Sequence, residues 1–237
     1  MEPRTGNSAA AAKGKQTDSG RPRPSLSTRL IVEACLALMD AEGADALTFR
    51  RVGAQLGADP TALYRHFRNK DDLLLAVADH LLEEGLEGFE PSDDWRQSLR
   101  GLFIRVHKVY LSHPRAAVLA TVRITRRPAE MRVIELTLTA LSDAGFPPEQ
   151  AVRHYRALVD FLLARSCLDA TYRTLDAHTR RGDESAWSGE YAAVPAATHP
   201  HIAAAAPYLA SVDDDADFDF ALDLMLDAIA ARAPGSG

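Results

Sequence analysis

Gly57 and Pro60 stand three residues apart between two short apolar-periodic segments, and this punctuation leaves the stretch Leu47 to Lys70, LTFRRVGAQLGADPTALYRHFRNK, few ways to fold. From Thr48 onward, Val52 and Leu56 recur one turn apart, the spacing of a helix with one buried face. Gly57 is free to take the left-handed conformation that ends such a helix. Asp59 and Pro60 then restart the chain. Proline fixes its own φ and keeps the residue before it out of the helical region, which suits Asp59 to the N-cap and Pro60 to the first helical position. Leu63 and Phe67, four apart, face inward. The spacing predicts two helices of two to three turns meeting at a sharp corner, a helix-turn-helix, whose second helix can enter the major groove of duplex DNA while the first crosses the backbone.

The residue types on the outward face fit that use. A helix that approaches base edges needs small or polar residues near its start, and Pro60, Thr61 and Ala62 supply them. Arg65, one turn on and opposite Leu63, can reach a guanine edge through two hydrogen bonds, or a phosphate. Tyr64 and His66 can donate to phosphate oxygens, and Lys70 lies where the next helix begins, so that N–H groups and ammonium both favour an anion. Charge is distributed in the same sense. Residues 1–70 hold 11 Lys and Arg against 7 Asp and Glu, net +4, whereas residues 71–237 hold 16 against 26, net −10. An acidic body with a basic head offers one face to a polyanion and keeps the rest away. Residues 1–26 supply 5 of the 11 cations, yet 48–70 alone has Arg50, Arg51, Arg65, Arg68 and Lys70 against the single acid Asp59, so the basic focus does not depend on the tail.

The rest of the chain reads as helices separated by Pro or Gly, and the fold class expected is all-α. Residues 1–24, rich in Ala, Gly, Ser and Lys without apolar periodicity, are expected to be a disordered basic arm, with Arg21 and Arg23 available for minor-groove or phosphate contacts. Residues 25–70 form the helix-turn-helix domain, opened by a helix from the N-cap Ser27 to Gly43, and residues 71–233 a larger helical domain. Its expected helices run from the N-cap Asn69 to about Gly88, then over 93–112, 114–122, 127–144, from Pro147 or Pro148 to 174, and finally from the acidic run at Asp213. Residues 176–211, with three prolines, three histidines and many alanines, read as an irregular connection with room for a short helix. The longest uncharged stretch, Tyr191 to Val212, is broken by those prolines and is no bilayer-spanning helix. The first twenty residues lack the apolar run of a secretory signal, so a cytoplasmic location is expected. Cys35 and Cys167 lie in separate apolar segments without metal-ligand spacing and are expected as buried small hydrophobes. The sequence holds no GxSxG, glycine-rich phosphate loop or HExxH, and His199 and His201 lack a third ligand in register. Neither catalysis nor a metal or other cofactor is expected.

The string ALTFRRVGAQLGADPTALYRHFRNKDDLL, above all Leu63-Tyr64-Arg65-His66-Phe67 followed by Asn69-Lys70 and Leu73-Leu74, resembles the N-terminal domain of the TetR family of transcriptional regulators. More weakly, Arg127-Pro128, the stretch from Leu138 to Gly145-Phe146 and the long helix that follows look like the ligand-binding domain of the tetracycline-repressor branch. The resemblance covers residues 27–174. It implies a repressor that binds a near-palindromic double-stranded DNA operator as a homodimer, its body holding a small-molecule inducer. Carried onto this sequence, the DNA-facing positions are Arg50, Pro60, Thr61, Ala62, Tyr64, Arg65, His66 and Lys70.

Two departures bear on the inducer. The loop histidine through which tetracycline repressors chelate the drug-bound magnesium falls on Arg123, and a guanidinium coordinates no metal. The family's glutamate near the end of the long helix falls on Leu168, with Asp169 one residue later. A magnesium–tetracycline ligand is therefore not expected. Arg123, Asp160 and Arg165 are the charged residues expected to look inward, with Phe103, His107, Tyr110, Tyr155 and Phe161 as walls. The inducer expected is largely apolar with an anionic or strongly hydrogen-bond-accepting group. In the empty protein Arg123 should pair with an acid such as Asp160 or point to solvent. Apolar stripes on Glu149 to Thr171 and on Phe218 to Ala230 are expected to build the dimer. Two other readings stay open: a helical binding or dimerisation module whose basic head docks an acidic protein, and a DNA-binding regulator without an inducer.

Overall fold

The computed structural model describes residues 26–210 and 214–234; the expected arm at 1–24, with Arg21 and Arg23, lies outside the described residues. Helix α1 (Thr28–Glu42) starts where the Ser27 hydroxyl accepts the Leu30 N–H at 3.2 Å, and it stops at Gly43, whose φ of +89° suits a residue without a side chain. A single 3₁₀ turn leads to α2 (Phe49–Leu56), which Thr48 caps and Gly57 ends in the left-handed conformation. Then come α3 (Pro60–Leu63), with Asp59 as its cap, and α4 (Lys70–Leu86), whose cap Asn69 accepts the Asp72 N–H at 2.8 Å. These starts and stops are the ones that the sequence predicts. Regular helical bonding in α3 ends sooner than the two turns expected: beyond Leu63 the chain continues as turns through His66, with Arg65 N–H on the Ala62 carbonyl at 3.3 Å and His66 N–H on that of Leu63 at 3.0 Å.

The head is closed by Ile31, Cys35, Met39, Leu47, Val52, Leu63, Phe67 and Leu73, all essentially without exposure. Burial pushes the Cys35 thiol up to about 12, so it packs as a hydrophobe. Cys167 departs from its expected place in the core and is only half-buried.

The body is built on α4, which packs against α1 on one side and against α5 (Trp95–Ser112), α6 (Pro114–Ala120) and α7 (Pro128–Asp143) on others. Helix α8 (Pro148–Thr174) lies across α5, α6 and α7. The last helix, here numbered α11 (Asp214–Ala230), closes over α5 and α8 through Phe218, Leu222, Leu226 and Ile229. An ion-pair ladder reinforces that closure: Arg100 meets Asp219 at 2.8 Å and Asp223 at 2.9 Å, and Arg96 meets Asp227 at 2.5 Å. Head and body share one hydrophobic cluster running from Ile31 to Ile229. Among the described residues there is no strand.

The segment expected as an irregular connection with room for a short helix holds two helices, α9 (Ala177–Ser188) and α10 (Pro200–Leu209), packed on each other. Asp176 caps α9 by accepting the N–H groups of His178 and Thr179 at 2.9 and 3.0 Å, and Pro200 opens α10. The apolar period failed as a signal because α9 buries no residue and α10 only Ala206.

Gly53 sets the corner between α2 and α3. A Cβ there would come within 2.9 Å of the Ala58 carbonyl oxygen and 3.3 Å of the Pro60 nitrogen, both main-chain atoms. Gly53→Ala should therefore destabilise the protein by about 1–3 kcal/mol through overpacking. The check is the urea midpoint, expected to fall with an unchanged slope; a wild-type midpoint would show that the corner yields.

Candidate functional site

In the head, α3 rests on the buried Leu63 and Phe67, so its opposite side is turned to solvent. Thr61, Tyr64, Arg65, Lys70 and, at the start of α2, Arg50 are exposed, while Pro60, Ala62 and His66 are half-buried. The Tyr64 ring stands edge-on to Phe49 with centroids 4.4 Å apart, and His66 Nδ1 lies 3.4 Å from the Thr28 hydroxyl. Asp59 Oδ1 accepts from both the Thr61 N–H, at 2.7 Å, and the Thr61 hydroxyl, at 2.6 Å. Those bonds hold the Asp59 carboxyl below the usual carboxylate range. The cations of the head fall into two groups. Arg51 is matched to Glu42 and Arg68 to Asp72, whereas Arg50, Arg65 and Lys70 make no ion pair among the described residues.

Below the head, the loop between α6 and α7 is fastened to α4 through three acids. Arg123 meets Asp71 at 2.7 Å. Arg127 meets the Asp72 carboxylate at 2.7 Å and its carbonyl at 3.1 Å. Two turns further along, Asp79 accepts from the Thr125 hydroxyl at 3.2 Å and from the N–H groups of Ala129 and Glu130 at 3.4 and 3.0 Å. Arg127 gives α7 no side-chain cap, so the free N–H groups at the start of that helix are satisfied from α4 instead. Glu130 folds back onto the N–H groups of Thr125 and Arg126 at 3.1 and 2.7 Å, and this wrap holds Arg126 at a φ of +57°. The bridge to Arg123 keeps the Asp71 carboxyl below its ordinary range, the hydrogen bond outweighing the partial desolvation. A second grip lies at the start of α6: His113 meets Asp40 at 3.0 Å, and Arg115 donates to the Asp40 and Met39 carbonyls at the end of α1, at 2.6 and 3.3 Å.

Under the fastened loop is a small cavity of about 60 Å³ between α4, α5, α7 and α8. Of the residues expected around an inducer, Tyr110, Arg123 and Tyr155 line it, joined by Thr125 and Glu130 and by apolar side chains such as Leu82, Val133 and Leu162. Burial pushes the Tyr110 phenol well above its usual range, so it is a neutral donor. The other expected residues are elsewhere. His107 is buried and stacked on Phe218 at 3.7 Å, with Nδ1 2.9 Å from the Ser166 hydroxyl and Nε2 3.7 Å from Asp169. Arg165 donates to that same Asp169 at 2.7 Å, and Phe161 stacks 5.4 Å from Phe218. These side chains serve the packing of α5, α8 and α11, and Phe103 is wholly buried in the core without lining the cavity. Arg123 pairs with an acid as expected, but the acid is Asp71, while Asp160, named as an example, is exposed on α8. Asp71, Asp79, Thr125 and Glu130 were not anticipated. The alternation of Asp71-Asp72 with Asp79 two turns on is visible in the sequence, but not the loop that it holds.

Among the described residues no cluster of three His, Cys, Asp or Glu side chains could hold a metal ion, and no helix is long and apolar enough to cross a membrane.

Comparison with known proteins covers both halves. Residues 31–77 match the model of the bacterial regulatory proteins of the tetR family, and residues 87–233 that of the tetracyclin repressor-like C-terminal domain. The chain is 29% identical over 213 residues to the class A tetracycline repressor protein from transposon 1721 of Escherichia coli, covering 87% of this chain and 92% of that one. It is 26% identical over 224 residues to the transcriptional repressor DrrR1 of Streptomyces coeruleorubidus, covering 90% and 82%. Among solved structures it is similar to the TetR family protein ActR of Streptomyces coelicolor in complex with actinorhodin, with a TM-score of 0.78 at 26% identity over 90% of this chain and all of that one. Apo ActR matches with a TM-score of 0.75 at 28% identity, over 88% and 96% of the two chains. With a basic helix-turn-helix on an all-helical body, and with family models that together span nearly all of both, the chain belongs to the TetR family of transcriptional regulators.

Proposed function

We propose that this regulator is a homodimeric repressor that reads a near-palindromic DNA operator through paired α3 helices and is released by a small-molecule inducer. The observation that carries the DNA-reading part is the state of the head's cations: Arg65 and Lys70 are exposed without an acidic partner among the described residues, while their neighbours Arg51 and Arg68 are matched. Unpaired guanidinium and ammonium groups beside a corner that fits the major groove are what duplex recognition uses. In this reading the head spans residues 25–70 and the body 71–233. Arg65 reads a guanine, Pro60, Thr61 and Ala62 allow close approach, and Arg50, Tyr64, His66 and Lys70 hold phosphates.

Dimerisation is supported by apolar side chains that the single chain leaves uncovered on two neighbouring helices. These are Leu168 on α8, 65% exposed, and Phe220 and Leu224 on α11, 65% and 54% exposed. A second copy related by a two-fold axis would bury them in a four-helix interface. Sedimentation at micromolar concentration without DNA should show a dimer, and a monomer would refute the assignment.

The inducer reading draws on the cavity and on the similarity to ActR, whose structures include complexes with actinorhodin and with (S)-DNPA. At about 60 Å³ the cavity is far below the roughly 300–1,000 Å³ of drug-sized ligand sites, so an inducer must select a more open body. A largely apolar molecule with an anionic group would enter among Leu82, Val133 and Leu162 and draw Arg123 away from Asp71. The loop then loses one of its holds on the first turn of α4, the helix that begins at Lys70 and carries the head. The shift reaches only as far as the ligand prefers the altered state.

Duplexes selected by the purified protein test the first part. Arg65→Ala should lose about 1–3 kcal/mol on the selected duplex and relax preference at one base step per half-site, whereas Lys70→Ala should weaken all sequences alike and flatten the salt slope by about one unit. Equal weakening of random and selected duplexes by Arg65→Ala would overturn the roles. For the second part, a molecule found by screening for release should act poorly on Arg123→Ala and act without divalent metal. Unchanged release from the variant, or a metal requirement, would refute the proposed contact.

A further inference from the structure

We infer that Thr61 reads the 5-methyl group of a thymine, once in each half-site, and that Asp59 is the residue that positions it. This rests on the DNA-reading role of α3 proposed above. Asp59 Oδ1 lies 2.6 Å from the Thr61 hydroxyl and 2.7 Å from the Thr61 N–H. A carboxylate only accepts, so the single hydroxyl proton of Thr61 is directed to Asp59 at the exposed surface of the corner. Thr61 then has no donor left for guanine O6 or N7, for thymine O4 or for a phosphate, the contacts that threonine hydroxyls ordinarily make on DNA.

The same bond settles which part of the side chain faces out. A β-branched residue carries two γ substituents whose directions are fixed together by χ1. With Oγ1 turned back to Asp59, the remaining substituent is the methyl group, and Thr61 is exposed. Arg65 follows in the turn beyond α3, its N–H on the Ala62 carbonyl at 3.3 Å, and shares the solvent-facing side of the corner with Thr61, with Ala62 half-buried between them in sequence. That face combines one fork of donors with an apolar surface. In the major groove, thymine alone presents an apolar group, its 5-methyl, and threonine and alanine methyls are the usual small partners for it.

The test uses the full chain and a duplex selected from a random library. Each thymine of the selected duplex is replaced in turn by deoxyuridine, which removes the methyl and nothing else. Wild type should bind about fourfold more weakly for each such methyl removed, the worth of one buried methyl-sized group. Thr61→Ser, which keeps the hydroxyl and its bond to Asp59 but has no methyl, should bind thymine and deoxyuridine duplexes equally at that position. Thr61→Val, which keeps a methyl, should still discriminate. Asp59→Ala should blunt the discrimination and Asp59→Asn, whose side-chain oxygen still accepts, should restore it; a capping role alone would lower the melting temperature and leave the thymine-to-deoxyuridine ratio unchanged. The inference is overturned if no thymine methyl matters to wild type, or if Thr61→Ser still senses the same one. Failure to select any duplex would instead overturn the operator reading itself, so the two failures are told apart.

Discussion

Helix α4 belongs to both halves of the molecule, and the position of the rest follows from how it is held. Leu73, Val77 and Leu81 bury it in the cluster that also contains the head's Ile31 and Phe67 and the body's Leu99 and Phe103. A single packed core resists partial displacement, because interiors at crystal-like density lose contacts steeply when surfaces separate. Motion of the head relative to the body must therefore carry α4 with it. Its outer side is where such motion can be controlled, since Asp71, Asp72 and Asp79 hold the α6–α7 loop by polar bonds that exchange more readily than packing.

The polar bonds differ in what their loss would cost. Asp71 and Arg123 sit at the surface, where an ion pair contributes little and is screened by salt. Asp79 is another matter, for it satisfies N–H groups at the start of α7 that have no other cap. Leaving those donors without a partner carries the desolvation cost of buried polar groups. The loop thus has a labile hold at Arg123, facing the cavity, and a firm one at Asp79. That ordering makes the Arg123 end the first to exchange while the helix at the other end stays in place.

The sequence was most legible where local chemistry decides the structure. Ser27, Thr48, Asp59 and Asn69 all cap the helices that their positions announce, and Gly57 takes the left-handed turn, because caps and turns depend on residues within a few positions. Helix α9 was missed for the converse reason: it makes a helix without burying a face, so the period that betrays a packed helix is absent. In the body, helix periodicity identified His107 and Phe161 as inward-facing, which they are, but inward covers both cavity and core. The stack on Phe218, more than fifty residues away from either, is a tertiary fact that no local pattern encodes. The partner of Arg123 was misplaced in the same way, since Asp71 and Asp160 are equally acidic in the sequence and only the fold brings one of them near.

The ladder that ties α5 to α11 has a consequence for how the protein meets its nucleic acid in solution. Arg96 and Arg100 spend their charge on Asp219, Asp223 and Asp227, so these cations of the body add little to any attractive field, while Arg50, Arg65 and Lys70 in the head meet no acid among the described residues. The charge of the folded chain is then polarised from end to end. A diffusing polyanion turns such a molecule before contact, so that collisions favour the head, and the bias fades as ionic strength shortens the reach of the field. Pairing within the body thereby governs the kinetics of encounter as well as the stability of the fold.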